Sequence, residues 1–208
     1  MYQKYIKRMI DFILSLIALI ILSPVMLIIA ILVRINLGNP VIFKQDRPGL
    51  NGEVFTLYKF RSMRDDVDKD GNLLPKNDRL TPFGRRLRST SLDELPELYN
   101  ILKGDMSIIG PRPLLVEYLE RYSDEQSRRH DVRPGLTCIS AVSGRAALSW
   151  QDSLRLDVEY VDNISFALDL QVFFKTIVTV FKRENINSNR GKFMGNESQF
   201  KDEGNGTK

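Results

Sequence analysis

Two neighbouring carboxylates, Asp93 and Glu94, are the residues of this sequence best suited to carry out a reaction. One carboxylate of such a pair can attack phosphorus as a nucleophile, while the other can hold a Mg²⁺ ion. Arginines bind phosphate oxygens through paired hydrogen bonds. Four of them precede the acidic pair, at Arg79, Arg85, Arg86 and Arg88. Together the acids and the arginines indicate phosphoryl-transfer chemistry.

A structural interpretation of the same residues stays open. Ser91 followed by Glu94 fits a capping box, in which the two side chains satisfy backbone N–H groups at the start of a helix. Pro96 also favours a helix start near this point. The free N–H groups of such a helix would themselves favour a bound phosphate. The residues are therefore compatible both with capping and with phosphate chemistry.

The composition of the 208 residues restricts the kinds of site that the chain can build. A length of this order suits one ordinary domain. Cys138 is the single cysteine and His130 the single histidine, which excludes an internal disulfide and a Cys/His zinc site. A required metal would be held by oxygen ligands, which points to Mg²⁺ or a similar hard cation. The net charge of +4 is too small to indicate a nucleic-acid-binding protein.

An apolar run from Phe12 to Val33 lies near the N-terminus and is interrupted only at Ser15, Ser23 and Pro24. As a straight helix it would be roughly 33 Å long, enough to cross a bilayer core of about 30 Å. Pro24 removes a backbone donor in its middle, and the Ser23 hydroxyl could satisfy a freed backbone group at a bend. A re-entrant helix and a kinked span are both compatible with the residues.

Basic residues flank both ends of this run, so they favour neither orientation across a membrane. They are Lys4, Lys7 and Arg8 before the run and Arg34, Lys44 and Arg47 after it. This symmetry is expected if both ends of the run stay in the cytoplasm.

The following part of the chain predicts a short hairpin and several helices. Val41–Gln45 and Val54–Phe60 are rich in β-forming residues, and turn residues at Arg47-Pro48-Gly49 and Asn51-Gly52 separate them. Helical patterns occur near Phe83 and across Leu92–Leu102 and Leu114–Tyr122, whereas Asp65–Asn77 and Asp105–Pro113 predict loops.

The C-terminal part predicts one more helix and a tail. The segment Leu170–Arg183 is apolar over much of its circumference. That pattern is typical of a core helix and is also compatible with a helix in the membrane interface. Residues 184–208 are rich in Asn, Gly, Lys and Ser, which predicts a disordered tail.

Six motifs in order along the chain resemble one protein family. They are YKFRSM (Tyr58–Met63), SLDELPELYN (Ser91–Asn100), LKGDMS (Leu102–Ser107), GPRP (Gly110–Pro113), HDVRPG (His130–Gly135) and SGR (Ser143–Arg145). Through them the chain resembles the bacterial sugar transferase family, the monotopic phosphoglycosyl transferases. The resemblance extends from the N-terminal apolar segment to about Arg183.

The resemblance implies an α/β mixed, mainly helical fold. Residues 1–34 would form a re-entrant membrane helix broken at Ser23-Pro24. Residues 35–183 would form one small cytoplasmic catalytic domain with a short β-hairpin and interfacial helices, and 184–208 the polar tail. The catalytic domain would lie on the cytoplasmic face of the bacterial inner membrane.

The resemblance also implies a reaction and its partners. Members of this family transfer a sugar-1-phosphate from a UDP-sugar to a polyprenol phosphate such as undecaprenyl phosphate, release UMP and require Mg²⁺. The step, of EC 2.7.8 type, initiates the synthesis of a glycoconjugate such as capsule, O-antigen, exopolysaccharide or glycoprotein. The implied partners are the UDP-sugar, polyprenol phosphate, anionic lipid and downstream glycosyltransferases, with no nucleic acid.

The resemblance also implies residue roles, by position along the chain. Asp93 matches the family's nucleophile, which forms a covalent aspartyl phospho-sugar intermediate, and Glu94 matches the residue associated with Mg²⁺. Lys59, Arg88 and Arg112 match basic residues that contact phosphate, and Arg145 and Asp157 match positions tied to the nucleotide-binding region.

One segment departs from the family's pattern and keeps a second function open. Cys138 stands where the family usually has glycine, and Ala141 where it usually has glutamine. Cys138 is expected to be a small packed residue rather than a nucleophile. The departure would suit an inactive membrane-anchored binding or scaffold protein of the same fold. A lipid-bound regulator is a further alternative, but it leaves the acidic pair unexplained.

Overall fold

The chain folds as one long N-terminal helix, two small β-sheets and a series of shorter helices. A computed structural model describes residues 2–144 and 148–182. The helices are α1 (Lys7–Leu37), α2 (Lys76–Arg79), α3 (Pro82–Ser89), α4 (Glu97–Lys103), α5 (Asp124–Ser127), α6 (Ile139–Val142), α7 (Trp150–Asn163) and α8 (Phe166–Lys182). The strands are β1 (Ile42–Pro48), β2 (Val54–Phe60), β3 (Ser107–Ile109) and β4 (Gly135–Thr137). The mixed, mainly helical fold class is confirmed, and the predicted tail lies outside the described residues.

Short segments of other helical types lie before and between these elements. Turns of 3₁₀-helix cover Leu50–Gly52, Leu92–Glu94, Val116–Arg121 and Arg128–His130, and a π-helical turn covers Tyr2–Ile6 directly before α1. The helix predicted over Leu114–Tyr122 is thus a 3₁₀ segment.

The predicted hairpin is present as β1 and β2, an antiparallel pair with seven facing residues. The first strand runs further than the sequence predicts, because Arg47 and Pro48 pair as strand residues and Pro48 lies opposite Val54. The reversal begins at Gly49, which donates its N–H to a carbonyl across the turn at 2.7 Å.

A second, parallel sheet is formed by β3 and β4, with Ser107 opposite Gly135. The sequence predicts only a loop over Asp105–Pro113, so the strand within it was missed. Gly110 follows β3 directly, and a Cβ atom there would collide with the Arg133 carbonyl oxygen. This close approach of two backbones fixes the start of the loop after β3.

The acidic pair lies in a tight turn rather than in the helix predicted over Leu92–Leu102. The 3₁₀ turn covers Leu92–Glu94, and α4 begins only at Glu97. Ser91 has a left-handed backbone with φ of 56°, and its side chain makes no capping hydrogen bond. Its N–H bonds back to the Arg88 carbonyl at 3.1 Å. The predicted capping box is wrong, because the left-handed Ser91 makes no side-chain capping bond and precedes a 3₁₀ turn instead of an α-helix.

The long helix α1 lies along the rest of the protein. The residues that it buries follow the spacing of one helix face and are Lys7, Asp11, Ser15, Ile29, Val33 and Leu37. Between them Ala18, Leu19, Leu22 and Met26 pack against the same apolar clusters. The opposite face is apolar and exposed. By length and composition alone, the segment Tyr2–Leu37 is able to cross a membrane.

Two polar side chains of α1 bond to the backbone of the elements around the acidic turn. Arg8 donates to the carbonyls of Ile101 at 2.6 Å and Leu102 at 2.8 Å, at the end of α4. Asp11 accepts the N–H of Ile108 in β3 at 3.0 Å. Carbonyls at a helix end have no partner within the helix, so Arg8 completes the hydrogen bonding of α4.

A buried ion pair joins α1 to α8. Lys7 Nζ lies 2.7 Å from Asp169 Oδ2, and the two side chains are 9% and 8% exposed. The hydroxyls of Tyr2 and Tyr160 also donate to the Asp169 carboxylate, at 2.6 and 2.7 Å. The start of α1, α7 and α8 therefore meet at one carboxylate.

The helix α1 continues through Pro24. Pro24 has no N–H to offer the Ile20 carbonyl, and the Ser23 hydroxyl donates to that carbonyl at 2.8 Å. This bond confirms the predicted compensation by Ser23. The predicted break in the helix is not shown.

Asn100 holds α4 against the hairpin. Its side chain is fully buried, accepts the Tyr58 N–H at 3.1 Å and donates to the Thr56 carbonyl at 2.8 Å. Its own carbonyl accepts the N–H of Gly104 at 3.0 Å and so closes α4. Asn100 therefore sets the position of β2 relative to the acidic turn.

We expect Asn100→Ala to lower the free energy of unfolding by about 3 kcal/mol, because it leaves the Tyr58 N–H and the Thr56 carbonyl without a partner. The melting temperature in detergent micelles should fall by about 6–12 °C. Asn163→Ala is the matched control, since Asn163 is exposed and donates to a carbonyl within α7. Equal melting temperatures for the two variants would contradict the anchoring role of Asn100.

Candidate active site

Lys59 lies at the centre of a group of carboxylates. It projects from β2, and its Nζ is 2.9 Å from Glu94 Oε1 and 2.9 Å from Glu97 Oε1. The Glu97 side chain is only 3% exposed and that of Lys59 21%, so these contacts are largely shielded from water. One ammonium group therefore joins the acidic turn to the first residue of α4.

Arg112 forms a second ion pair with Glu94. It belongs to the loop after β3, and its Nη2 donates to Glu94 Oε1 at 2.9 Å. Burial alone would raise the pKa of Glu94, but the charges of Arg112 and Lys59 outweigh that effect and lower the pKa to about 2. Glu94 is therefore ionised at neutral pH.

Asp93 is buried, with 7% of its surface exposed. Burial and the negative charge of Glu94 raise the pKa of Asp93 to about 6, against the opposing charges of Lys59 and Arg88. The two neighbouring carboxyls thus have pKa values far apart, and such a separation is typical of carboxylates with different roles in one site.

Glu97 is a site residue that the sequence analysis missed. Burial raises the pKa of Glu97 to about 7, with Lys59 opposing the increase and Glu94 adding to it. The sequence does hold one signal, because Glu97 follows Asp93 by four residues, the spacing of one helical turn. Its burial beside Lys59 depends on the packing of α4 against β2.

The structure brings together five of the predicted site residues. Lys59, Glu94 and Arg112 are in direct contact, and Asp93 precedes Glu94 in the same turn. Arg88, near the end of α3, is close enough for its charge to lower the pKa of Asp93. These residues come from β2, from α3, from the acidic turn and from the loop after β3.

Asp157 lies apart from this group. It is 3% exposed in α7, and its Oδ2 accepts bonds from Arg129 Nη2 at 2.7 Å and Nε at 3.2 Å. Arg129 in turn donates to the Arg112 carbonyl at 2.6 Å. The sequence analysis missed Arg129, since nothing in its neighbours indicates a buried arginine. Arg145, the other residue predicted for nucleotide binding, lies outside the described residues.

The segment that departs from the family's pattern is packed beside the site. Cys138 is 2% exposed, its Sγ lies 3.2 Å from Ser140 Oγ, and burial raises the pKa of its thiol. The prediction of a small packed residue is confirmed. The Nδ1 of His130 lies 3.2 Å from the Gly49 carbonyl oxygen, and burial and the charge of Arg129 lower the His130 pKa to about 4.

The acidic pair offers carboxylate oxygens as candidate ligands for a hard cation. Within residues 2–144 and 148–182, no three histidine, cysteine, aspartate or glutamate side chains are placed to hold a metal ion. Glu94 is ionised, its side chain is 19% exposed, and Lys59 and Arg112 both contact it at Oε1. Mg²⁺ is commonly bound by one or two carboxylates together with phosphate oxygens of a substrate. The residues present fit Mg²⁺ bound in this way.

The arrangement is suited to nucleophilic attack on phosphorus. Asp93 offers an anionic oxygen at neutral pH, and Lys59, Arg88 and Arg112 surround the acidic turn with positive charge. Preorganised cations of this kind stabilise the charge that develops on phosphate oxygens in a transition state.

Comparisons with known proteins agree with this chemistry. The sequence pattern of the family described as bacterial sugar transferase matches residues 2–183. The uncharacterized sugar transferase EpsL of Bacillus subtilis is 50% identical over 181 residues, which cover 87% of this chain and 90% of EpsL.

Two longer relatives are named for a reaction. The undecaprenyl-phosphate galactose phosphotransferase of Salmonella typhimurium is 38% identical over 201 residues, covering 88% of this chain and 42% of that protein. The UDP-glucose:undecaprenyl-phosphate glucose-1-phosphate transferase of Klebsiella pneumoniae is 39% identical over 187 residues, which cover 85% of this chain and 39% of that protein. The chain spans about two fifths of the length of these two proteins. These matches confirm the resemblance seen in the sequence motifs, and the chain belongs to the bacterial sugar transferase family.

Proposed function

We propose that this protein transfers a sugar-1-phosphate from a UDP-sugar to undecaprenyl phosphate and so initiates polysaccharide synthesis. The observation that carries the proposal is a buried Asp93 next to a Glu94 that is held by Lys59 and Arg112. Relatives named for a galactose and a glucose phosphotransferase support the reaction class. Because their names differ in the sugar, the proposal covers the reaction and leaves the sugar open.

In the first step, an Asp93 carboxylate oxygen attacks the β-phosphorus of the UDP-sugar. A bond forms between this oxygen and phosphorus, and the bond from phosphorus to the bridging oxygen breaks. UMP leaves with the electron pair of that bond, and the sugar phosphate stays attached to Asp93. Lys59, Arg88 and Arg112 offset the negative charge that would otherwise repel the carboxylate.

In the second step, an oxygen of the polyprenol phosphate attacks the phosphorus on Asp93. The new bond joins the sugar phosphate to the lipid phosphate, and the Asp93 carboxylate leaves with its electron pair. Both attacking groups are already anionic, so neither step needs a proton acceptor. This agrees with the position of His130, which is bonded to the Gly49 carbonyl.

Glu94 is the residue that would hold Mg²⁺, together with phosphate oxygens of the substrate. When bound, the ion supplies charge neutralisation on the diphosphate. Lys59, itself held by Glu97 at 2.9 Å, contacts Glu94 at Oε1. The orientation of the Glu94 carboxylate is therefore set before the substrate arrives.

Both ends of α1 lie on the cytoplasmic face of the membrane in this proposal, beside a catalytic domain over residues 35–183. Support comes from the two ends of α1, since Lys7 is buried at one and Val33 and Leu37 at the other. A helix that crossed the bilayer would carry one end roughly 30 Å away from the domain. The exposed apolar face of α1 would then lie in the lipid, and residues 1–34 would form a re-entrant anchor.

The last helix extends the same lipid-facing surface. The apolar side chains that α8 exposes are Phe166, Leu170, Phe173, Phe174, Ile177 and Val178. Tyr2 contacts Phe166 edge to face, with ring centres 6.1 Å apart, so this surface is continuous with the start of α1. We therefore assign α8 to the membrane interface rather than to the core.

Purified protein in detergent should release UMP from a panel of UDP-sugars in the presence of Mg²⁺ and polyprenol phosphate, and Asp93→Asn should abolish the release. The amide cannot form the acyl phosphate, and it removes a charge without changing the size of the side chain. Without the lipid phosphate, a β-phosphate label should remain on the wild-type protein and be absent from Asp93→Asn.

Asp70→Asn is the matched control, because Asp70 is exposed in a loop outside the site. It should release UMP at the wild-type rate. Folded wild-type protein that releases no UMP with any UDP-sugar would overturn the proposal and favour the inactive binding or scaffold protein.

The pH dependence of the reaction should report the Asp93 carboxyl. Its raised pKa of about 6 means that the nucleophile is lost as the pH falls through 6, with roughly tenfold lower kcat/KM at pH 5 than at pH 7. Arg88→Gln should move the midpoint upward, because the positive charge lowers the Asp93 pKa. Arg85→Gln, on the exposed side of α3, should leave the midpoint unchanged. An identical midpoint in all three proteins would contradict this assignment.

Cysteine labelling tests the position of α1. In a Cys138→Ser background, Lys4→Cys and Asn36→Cys should react with a membrane-impermeant maleimide only after spheroplasts are permeabilised, because both ends stay in the cytoplasm. Labelling of one position in intact spheroplasts would show that α1 crosses the membrane.

A further inference from the structure

Arg129 has a buried guanidinium group that has no role in the two proposed reaction steps. Its side chain is 1% exposed, and all three of its nitrogens are bonded. Nε and Nη2 donate to Asp157 Oδ2 at 3.2 and 2.7 Å, and Nη1 donates to the Tyr122 hydroxyl at 3.0 Å. Nη2 also donates to the Arg112 carbonyl at 2.6 Å.

The loop that carries Arg112 is held through three consecutive carbonyls. The Pro111 carbonyl accepts the Gly135 N–H at 2.9 Å, and the Pro113 carbonyl accepts Arg47 Nη1 at 3.4 Å. Proline has no N–H, so the loop depends on its carbonyls for hydrogen bonds. The bond from Arg129 is the shortest of the three, and it falls on the residue whose side chain reaches Glu94.

We propose that Asp157 and Arg129 are positioning residues, which set Arg112 on Glu94 without touching the substrate. Asp157 orients the planar guanidinium of Arg129, and Arg129 fixes the Arg112 peptide. The Arg112 side chain then meets Glu94 at 2.9 Å. The inference rests on the proposed function and replaces a direct nucleotide contact of Asp157 with an indirect role.

Burial separates these two roles for Asp157. A residue that binds a nucleotide directly must offer its polar atoms to the solvent side of the site. The Asp157 side chain is 3% exposed and that of Arg129 1%. Arg112, by contrast, has a side chain that is 49% exposed, so it can contact both a phosphate and Glu94.

Steady-state kinetics of UMP release test the positioning role. Asp157→Asn should lower kcat by on the order of 10-fold to 100-fold, as expected for a catalytic group displaced by about 1 Å, and leave the KM for the UDP-sugar nearly unchanged. The double variant Asp157→Asn/Arg112→Gln should be no slower than Arg112→Gln alone, because both substitutions remove one function. Asp162→Asn is the matched control, since Asp162 is an exposed residue of α7 that pairs with Arg128.

Hydrogen–deuterium exchange provides a readout that does not need activity. Asp157→Asn and Arg129→Lys should increase exchange of the Gly110 and Gly135 N–H groups, which bond to the Thr137 and Pro111 carbonyls beside the segment after β3, and leave the β1–β2 hairpin unchanged. Arg129→Lys keeps the positive charge opposite Asp157, but the single lysine nitrogen replaces the three donor nitrogens of the guanidinium group. If either variant loses its cooperative melting transition, Tyr122→Phe replaces it in the test, because it leaves the ion pair between Arg129 and Asp157 intact. Tyr122→Phe should lower the kcat for UMP release on the order of 3-fold.

The outcomes separate this proposal from the proposed function. A raised KM with unchanged kcat in Asp157→Asn, or multiplicative effects in the double variant, would show a direct contact with the nucleotide and overturn the positioning role. Unchanged exchange of the Gly110 and Gly135 N–H groups would also overturn it. Absence of UMP release by the wild type would overturn the proposed function, and the exchange experiment would still decide whether Asp157 and Arg129 hold the loop.

Discussion

The ammonium group of Lys59, shared by Glu94 and Glu97, is the interaction on which the geometry of the site depends. Bringing carboxylates together in a partly buried turn is unfavourable unless cations and hydrogen bonds compensate. Lys59 supplies that compensation at 2.9 Å from each glutamate. Because Lys59 belongs to β2 and Glu97 begins α4, the compensation requires the hairpin to pack on α4. Asn100 makes that packing specific through two bonds to the β2 backbone.

The long apolar helix α1 also supports the geometry of the site. Arg8 bonds to the last carbonyls of α4, and Asp11 bonds to the backbone of β3. Of these two elements, α4 begins with Glu97, and β3 leads into the loop that carries Arg112. An apolar anchor tethered by a flexible linker would leave the site free to rotate relative to the lipid. In the proposed arrangement, a helix that bonds to α4 and β3 would instead fix the height and orientation of Asp93 relative to the membrane surface.

The sequence predicts the parts of this structure that depend on local chemistry. Runs of β-forming residues and the turn residues between them predict the β1–β2 hairpin, and the adjacent carboxyls predict the acidic pair. The capping box failed because a left-handed Ser91, with φ of 56°, cannot be inferred from a motif that fits a helix start equally well. Glu97 and Arg129 were missed for a different reason. Their partners lie 38 and 28 residues away in the sequence, and such pairings are decided by tertiary packing.

The distribution of ion pairs explains how Asp93, the proposed nucleophile, can remain available among so many cations. Within the described part of the chain, the ion pairs of Lys59 and Arg112 go to Glu94 and Glu97, and none involves Asp93. A carboxylate bound directly to an ammonium or guanidinium group would have to break that contact before it could attack phosphorus. Glu94 and Glu97 keep the cations at a distance that still favours ionised Asp93 at neutral pH. In the proposed mechanism the positive potential is thereby directed to the incoming phosphate, and the Asp93 carboxylate makes no ion pair within the described residues.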